Sequence, residues 1–118
     1  MKTQDLKGDD LDYWTARADG FSEDQIIRPL RADGSKRTTI YTNEKGWVPG
    51  CYTKDWRLTG PLIDKFSIEL SGGTGGWYAG EGAVYYDAWP VAGESPIEAI
   101  CRAVVHVVFG NEVGGVPA

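Results

Sequence analysis

The segment SPIEAICRAVVHVVFG constrains the fold more than any other part of the chain. Ser95 provides an N-cap hydroxyl, Pro96 suits the first helical position, and Glu98 completes a capping box. Apolar residues at helical spacing then form one continuous stripe, which consists of Ile97, Ile100, Cys101, Val104, Val105 and Val108. The valines alone favour a strand, but the cap and the spacing predict a helix over residues 96–109 that ends at Gly110.

A second amphipathic pattern lies near the N-terminus, in LKGDDLDYWTARADG. Its apolar face consists of Leu11, Trp14 and Ala18. The carboxylates that crowd its first turn, where they complement the helix dipole, belong to Asp9, Asp10 and Asp12. Gly20 suits the left-handed residue that ends a helix, so the sequence predicts a helix over about residues 9–19.

Between the two helices the sequence has the pattern of short strands separated by turns. The candidate strands are QIIRPLR, KRTTIYT, KFSIELS, GWYAG and AVYYDAW, at residues 25–31, 36–42, 65–71, 76–80 and 83–89. Most of the connections are too short for a crossover, which favours antiparallel pairing. We therefore predict an α+β fold, a single domain over residues 1–118 in which a small antiparallel sheet of about three to five strands packs against two helices.

The net charge of −5 is unevenly distributed along the chain. Residues 25–65 hold eight basic and four acidic side chains, whereas acids dominate before and after them. A candidate patch for an anionic partner consists of Arg28, Arg31, Lys36 and Arg37. The alternative is an ordinary solvated surface, and the acidic balance of the whole chain weakens the case for nucleic acid.

The chain lacks the sequence features of membrane proteins and secreted proteins. No apolar run is long enough for a membrane helix, and the opening MKTQDLKGDD has no apolar core of a signal peptide. We therefore expect a cytoplasmic protein without membrane contact, as a monomer or weak homodimer. In that compartment Cys51 and Cys101 are expected to be reduced and buried, with a disulfide between them as the lesser alternative.

No set of residues matches a catalytic or metal-binding pattern. The single histidine, His106, lies on the closing helix near Arg102, and no nucleophile pattern points to it. One histidine and two distant cysteines predict no metal site. The glycine-rich stretch SGGTGGWYAGEG lacks the register of a phosphate-binding loop and predicts hairpin turns instead. We expect a non-enzymatic protein without a cofactor.

The chain is rich in aromatic residues, with five Trp and six Tyr. Those outside the first helix and of uncertain role are Trp47, Tyr52, Trp56, Trp77, Tyr85, Tyr86 and Trp89. We expect most of them to fill the core and two or three to remain exposed as a protein-contact patch. The alternative is that they stack on the bases of a single-stranded nucleic acid.

The segment DWRLTGPLID has two interpretations. In the first, Gly60 and Pro61 form a turn before the next strand, Asp55 caps that turn, and Trp56 packs across the helices. In the second, the segment contributes to a shallow binding site lined by Tyr52, Asp55, Trp56 and Trp77.

Four blocks of the sequence also form an ordered set: DLKGDDLDYWTARADG, YTKDWRLTGPLIDKFSIEL, GGWYAG and ESPIEAICRAVVHVVFGNEV. Together they resemble the phage NinX-like family, small proteins of lambdoid-type phages and of prophages. In the second block the residues that match the family's Asp-Trp turn and Gly-Pro run are Tyr52, Asp55, Trp56, Gly60, Pro61, Leu62 and Ile63. Residues 21–46 match poorly, so the resemblance does not extend to the basic patch.

The resemblance implies a phage or prophage origin and an accessory role in the host cytoplasm, with no established activity, substrate or cofactor. We therefore expect a phage-derived accessory protein, foremost a non-enzymatic module that binds an unknown host or phage protein. The alternative is a nucleic-acid-binding accessory factor that uses the basic patch and the tryptophans. A small enzyme ranks last, since it requires a deep pocket near Asp55 or His106.

Overall fold

A computed structural model describes residues 1–73, 76–81 and 91–115. Within these ranges the helices are α1 (Gly8–Asp19), α2 (Trp56–Lys65) and α3 (Pro96–Phe109). The strands are β1 (Ile26–Ile27), β2 (Thr39–Thr42), β3 (Gly46–Pro49), β4 (Ile68–Gly73), β5 (Gly76–Glu81) and β6 (Val91–Gly93). The α+β class is confirmed, but the described part of the chain has three helices where the sequence predicted two.

The described strands form two antiparallel sheets instead of the single predicted sheet. The N-terminal sheet has the order β1-β2-β3 and the C-terminal sheet the order β4-β5-β6. The two sheets are separated in sequence by α2, and they share none of the described strands. The predicted strand at residues 83–89, with Tyr85, Tyr86 and Trp89, lies outside the described residues.

Helix α3 is the centre of the core, and its predicted bounds are confirmed. It contacts both other helices and all three strands of the C-terminal sheet. Ser95 caps it, because its Oγ accepts a hydrogen bond of 3.2 Å from the Glu98 N–H. Glu98 in turn accepts from the Glu94 N–H at 3.2 Å, one residue before the position a capping box uses. The apolar stripe and the cap together outweigh the strand propensity of the valines.

Helix α1 also follows its prediction, and Gly20 ends it with a left-handed φ of 116°. The aspartates of its first turn do more than complement the dipole, because they bind the chain that follows. Asp9 accepts hydrogen bonds from the Arg28 Nε and the Thr38 N–H, both at 2.6 Å. These contacts fasten the N-terminal sheet to α1.

Helix α2 was not predicted, since the sequence contains Gly60 and Pro61 at its middle. The interpretation of these residues as a turn is wrong: both lie inside the helix. The conformation is possible because the steric clash before a proline involves the Cβ of the preceding residue, which glycine lacks. The buried residues Thr59 and Leu62 hold the helix against the core, and the Thr59 hydroxyl donates to the Tyr52 carbonyl.

The C-terminal sheet packs on α3 through a close approach at Gly93. A Cβ at this position would lie 2.6 Å from the Ala99 backbone nitrogen. Gly93 is therefore the residue that allows β6 to lie directly against the first turn of α3. Within the same sheet, the Trp77 ring of β5 lies over Gly72 of β4, and a Cβ added at Gly72 would lie 2.9 Å from the indole ring.

None of the helices in the described ranges is long and apolar enough to cross a membrane. Cys51 and Cys101 are free thiols, the first half-buried and the second fully buried. The disulfide considered as the lesser alternative is absent.

Candidate interaction surface

The N-terminal sheet turns an apolar face to solvent. Because side chains alternate along a strand, Tyr41 of β2 and its partner Trp47 of β3 share one face with Ile27 of β1. Their exposed fractions are 40%, 47% and 45%. The residues of this outer sheet face are Ile27, Thr39, Tyr41, Trp47 and Pro49.

The opposite face of the same sheet belongs to the core. Ile26 and Ile40 are 8% and 3% exposed, and Val48 packs against the core cluster. The exposure of the outer face is therefore not a sign of a loose element, since Ile26 and Ile40 on the opposite face are buried in the core. Tyr41 and Trp47 form an edge-to-face pair with ring centroids 5.4 Å apart, an arrangement that fixes both rings on the surface.

A cationic cleft of about 780 Å³ lies between β3 and the start of α2. Its lining consists of Arg37, Lys45, Val48, Pro49, Cys51, Lys54, Asp55, Arg57 and Leu58. Four of these side chains are cationic and one is anionic. The volume is in the range of small-ligand sites, and apolar side chains form part of its wall.

Asp55, the one carboxylate in the described lining of the cationic cleft, is already occupied. It caps α2 by accepting from the Arg57 N–H at 3.0 Å, and it accepts from the Arg57 Nε and Nη2 at 3.1 and 3.0 Å. These hydrogen bonds lower the pKa of Asp55 below its ordinary value. The predicted capping role of Asp55 is confirmed, although it caps a helix and not a turn.

The shallow site predicted from four residues is not assembled as predicted. Tyr52 is 1% exposed and donates its hydroxyl proton to Asp19 at 2.8 Å, so burial and this neighbour raise its pKa. Trp77 lies over Gly72 in the C-terminal sheet. The cationic cleft has Asp55 in its lining but none of the other three.

The predicted packing role of Trp56 is also wrong. The indole is 51% exposed at the first residue of α2, where the buried face is formed instead by Thr59 and Leu62. Of the described aromatics whose role the sequence left open, Tyr52 is buried, whereas Trp47, Trp56 and Trp77 are exposed. The expectation for the remaining three, Tyr85, Tyr86 and Trp89, lies outside the described residues.

The basic patch predicted from sequence is divided by the fold. Arg28 is bound to Asp9 at 2.6 Å and to Asp10 at 2.9 Å, with a side chain only 11% exposed. Arg31 and Lys36 are exposed. Arg37 alone joins the cationic cleft, together with three bases that sequence reasoning did not select: Lys45, Lys54 and Arg57.

The two thiols in the described residues are not activated as nucleophiles. Burial raises the pKa of Cys101 to about 12 and raises that of Cys51 above its ordinary value. The His106 Nε2 lies 2.7 Å from the Asn111 Oδ1. Over the same part of the chain, no group of three or more His, Cys, Asp or Glu side chains could hold a metal ion.

Residues 2–107 match the family described as Bacteriophage P22, NinX. The chain belongs to the NinX family. The predicted resemblance is thereby confirmed, and with it the assignment as a phage-derived accessory protein. No curated protein matches this NinX-family chain.

Two surface features of this NinX-family chain were not predicted from sequence: the Tyr41–Trp47 pair and the full set of bases in the cationic cleft. Strand β3 is only four residues long and contains Gly46 and Pro49, so it was not predicted, and the pairing of Tyr41 with Trp47 was missed with it. The sequence signal for this strand is the alternation after the turn at residues 43–45, in which Trp47 and Pro49 point to one face and Gly46 and Val48 to the other. The bases of the cationic cleft are spread over 21 residues and meet where the end of β3 and the start of α2 line the same cleft.

Proposed function

We propose that this phage accessory protein is a non-enzymatic interaction module that binds a host or phage protein through its outer sheet face. The single observation that supports the proposal most is the exposed Tyr41–Trp47 pair on a sheet whose other face contributes Ile26 and Ile40 to the core. Aromatic side chains at the centre of a patch are the usual anchors of protein interfaces.

The charge of the surrounding segment indicates the chemistry of the partner. Residues 25–65, which form the N-terminal sheet and α2, carry an excess of four positive charges in a chain whose net charge is −5. Arg28 and Lys65 of this segment pair with aspartates of α1, so the excess left for a partner is smaller. An acidic surface around an apolar patch would complement this region. Two copies placed face to face would bring like charges together, which disfavours self-association through this face.

The non-enzymatic part of the proposal rests on the side chains described above. The thiols have raised pKa values, and the described lining of the cationic cleft contains one carboxylate, which Arg57 occupies. Exposed aromatics beside a cleft are sufficient for recognition, whereas acid–base chemistry requires oriented titratable groups.

The nucleic-acid alternative retains one supporting observation. Trp47 and Trp56, both about half exposed, adjoin residues that line the cationic cleft, and stacking rings beside cations are typical of single-strand binders. The loss of Arg28 to an internal ion pair and the net negative charge count against it. Protein recognition therefore remains the first proposal.

Photo-crosslinking tests the proposal in host cells. A photoreactive phenylalanine analogue is placed at Trp47 and, as the control, at Glu69, an exposed position on the C-terminal sheet. The proposal predicts one discrete crosslinked protein from position 47 and not from position 69. Identical products from both positions, a dimer of the chain itself, or crosslinks to nucleic acid would contradict it.

A further inference from the structure

The cationic cleft has an excess of positive charge that its own residues do not neutralise. Arg57 is bound to Asp55, which leaves three cations for the remaining space. Lys45 and Lys54 are exposed and form no ion pair with any carboxylate of the described ranges.

Arg37 provides an independent sign of a missing acceptor. Its Nε is buried, and it donates to no acceptor within the part of the chain that the structure describes. A buried donor without an acceptor is costly, because it has lost its hydrogen bonds to water. The Arg37 side chain also lines the cleft, so an oxyanion bound there would pair with its positive charge.

We propose that the cationic cleft binds the carboxylates of an acidic peptide segment, with Arg37 and Lys54 as their principal ligands. This inference rests on the proposed function, because it names the part of the partner protein that reaches beyond the outer sheet face. Pro49 belongs both to that face and to the lining of the cleft, so one partner can cover the two surfaces continuously.

The cleft fits an acidic peptide better than a nucleic acid. Val48, Pro49 and Leu58 line it beside the cations, and they suit a segment that alternates carboxylates with apolar side chains. A polynucleotide carries a phosphate at every nucleotide, whereas residues 1–24 and 66–118 of this chain are net acidic and would repel phosphates beyond the cleft. A short acidic segment meets only the local excess of positive charge.

A fluorescence-anisotropy titration tests the proposal with a labelled peptide of alternating Glu and Leu. The comparison probes are the same peptide with Gln in place of Glu, and an oligothymidylate. The wild-type chain is expected to bind the Glu peptide most tightly. Arg37→Gln and Lys54→Gln are each expected to weaken this binding by about tenfold, the effect of one charged hydrogen bond.

Arg31→Gln is the matched control, since it removes the same charge from an exposed residue outside the cleft lining. It is expected to leave the affinity unchanged. If Arg37→Gln unfolds the chain, as circular dichroism would show, Lys54→Gln decides the matter because Lys54 is exposed. Equal affinity for the Glu and Gln peptides, equal loss in all three variants, or tighter binding of oligothymidylate would each overturn the proposal.

The outcome also separates this inference from the proposed function. Crosslinking specific to position 47 together with no binding of the Glu peptide would refute the cleft proposal and leave the protein-interaction module intact. Specific peptide binding without a position-47 crosslink would support the cleft and refute the role of the outer sheet face.

Discussion

Asp12 is a charged residue that the fold places inside the core. It is 5% exposed on α1 and accepts a hydrogen bond of 2.7 Å from the Thr53 N–H. Burial raises its pKa to about 6, and the nearby carboxylate of Asp9 adds to the rise. The hydrogen bond to Thr53 opposes this effect without cancelling it, since desolvation of the charge is the larger contribution.

The stability of the chain is expected to depend on pH through Asp12. The folded-state pKa lies above the unfolded value of about 4, so the folded chain holds this proton more tightly, and the contribution to the free energy of unfolding falls as pH rises from about 4 to about 6. The fall is up to about 3 kcal/mol. Asp12→Asn should remove it, because the amide oxygen still accepts from Thr53 and carries no charge.

Urea unfolding of both proteins across this pH range measures the effect as a difference. The two should be similar in stability near pH 4, and the Asp12→Asn variant should be the more stable above about pH 6. A difference that does not change with pH would contradict the burial of an ionisable carboxyl at this position.

Gly93 is a residue whose lack of a side chain determines packing. Gly93→Ala is expected to lower the free energy of unfolding by about 1–3 kcal/mol, because the new Cβ meets the backbone of Ala99 and not a flexible side chain. Gly114→Ala is the control, since a Cβ there meets nothing within 4 Å. Thermal unfolding of the two variants measures the contrast, and an equal effect would be incompatible with β6 lying against α3.

At the scale of the element, α2 shows how tertiary contacts override local preference. Pro61 has no N–H to donate to the Arg57 carbonyl, and its ring disfavours the helix that contains it. The cap at Asp55 and the burial of Thr59 and Leu62 stabilise the helix in spite of this. Proline costs little at Pro96 of α3, because the first helical position needs no donor.

Replacing the two prolines should therefore have different effects. Pro61→Ala is expected to raise the free energy of unfolding by about 1–3 kcal/mol, since it restores a helical hydrogen bond at an exposed position. Pro96→Ala is expected to give no gain. Denaturant unfolding compares the two variants, and a loss of stability in Pro61→Ala would argue against a continuous α2.

The same elements show what the sequence could and could not predict. Helices α1 and α3 were predictable because apolar spacing and a stop glycine agree at both, together with an acidic first turn at α1 and the Ser95 cap at α3. Helix α2 was not, because its Gly-Pro pair opposes a structure that only long-range burial supports. The wrong expectation that Trp56 packs across the helices has the same origin. Once α2 is known to be a helix, a tryptophan at its first residue need not lie on the side that Thr59 and Leu62 bury.

For the whole molecule, the centre of the core and the proposed recognition surface occupy different regions. The core centres on α3, whose neighbours are the other two helices and the C-terminal sheet. The N-terminal sheet is fastened to this core through Asp9 and leaves its outer face free. The candidate surface could not be predicted in full, because its cations and its aromatic pair are brought together by tertiary structure.

The affinity of the partner crosslinked at position 47 tests the central claim most directly. Trp47→Ala is expected to weaken binding by about thirtyfold or more, as for an aromatic hot spot, while leaving the melting temperature nearly unchanged. Trp77→Ala, which removes an exposed tryptophan from the other sheet, is expected to leave the affinity unaltered. Undiminished binding by Trp47→Ala, or an equal loss in Trp77→Ala, would contradict recognition through the outer sheet face.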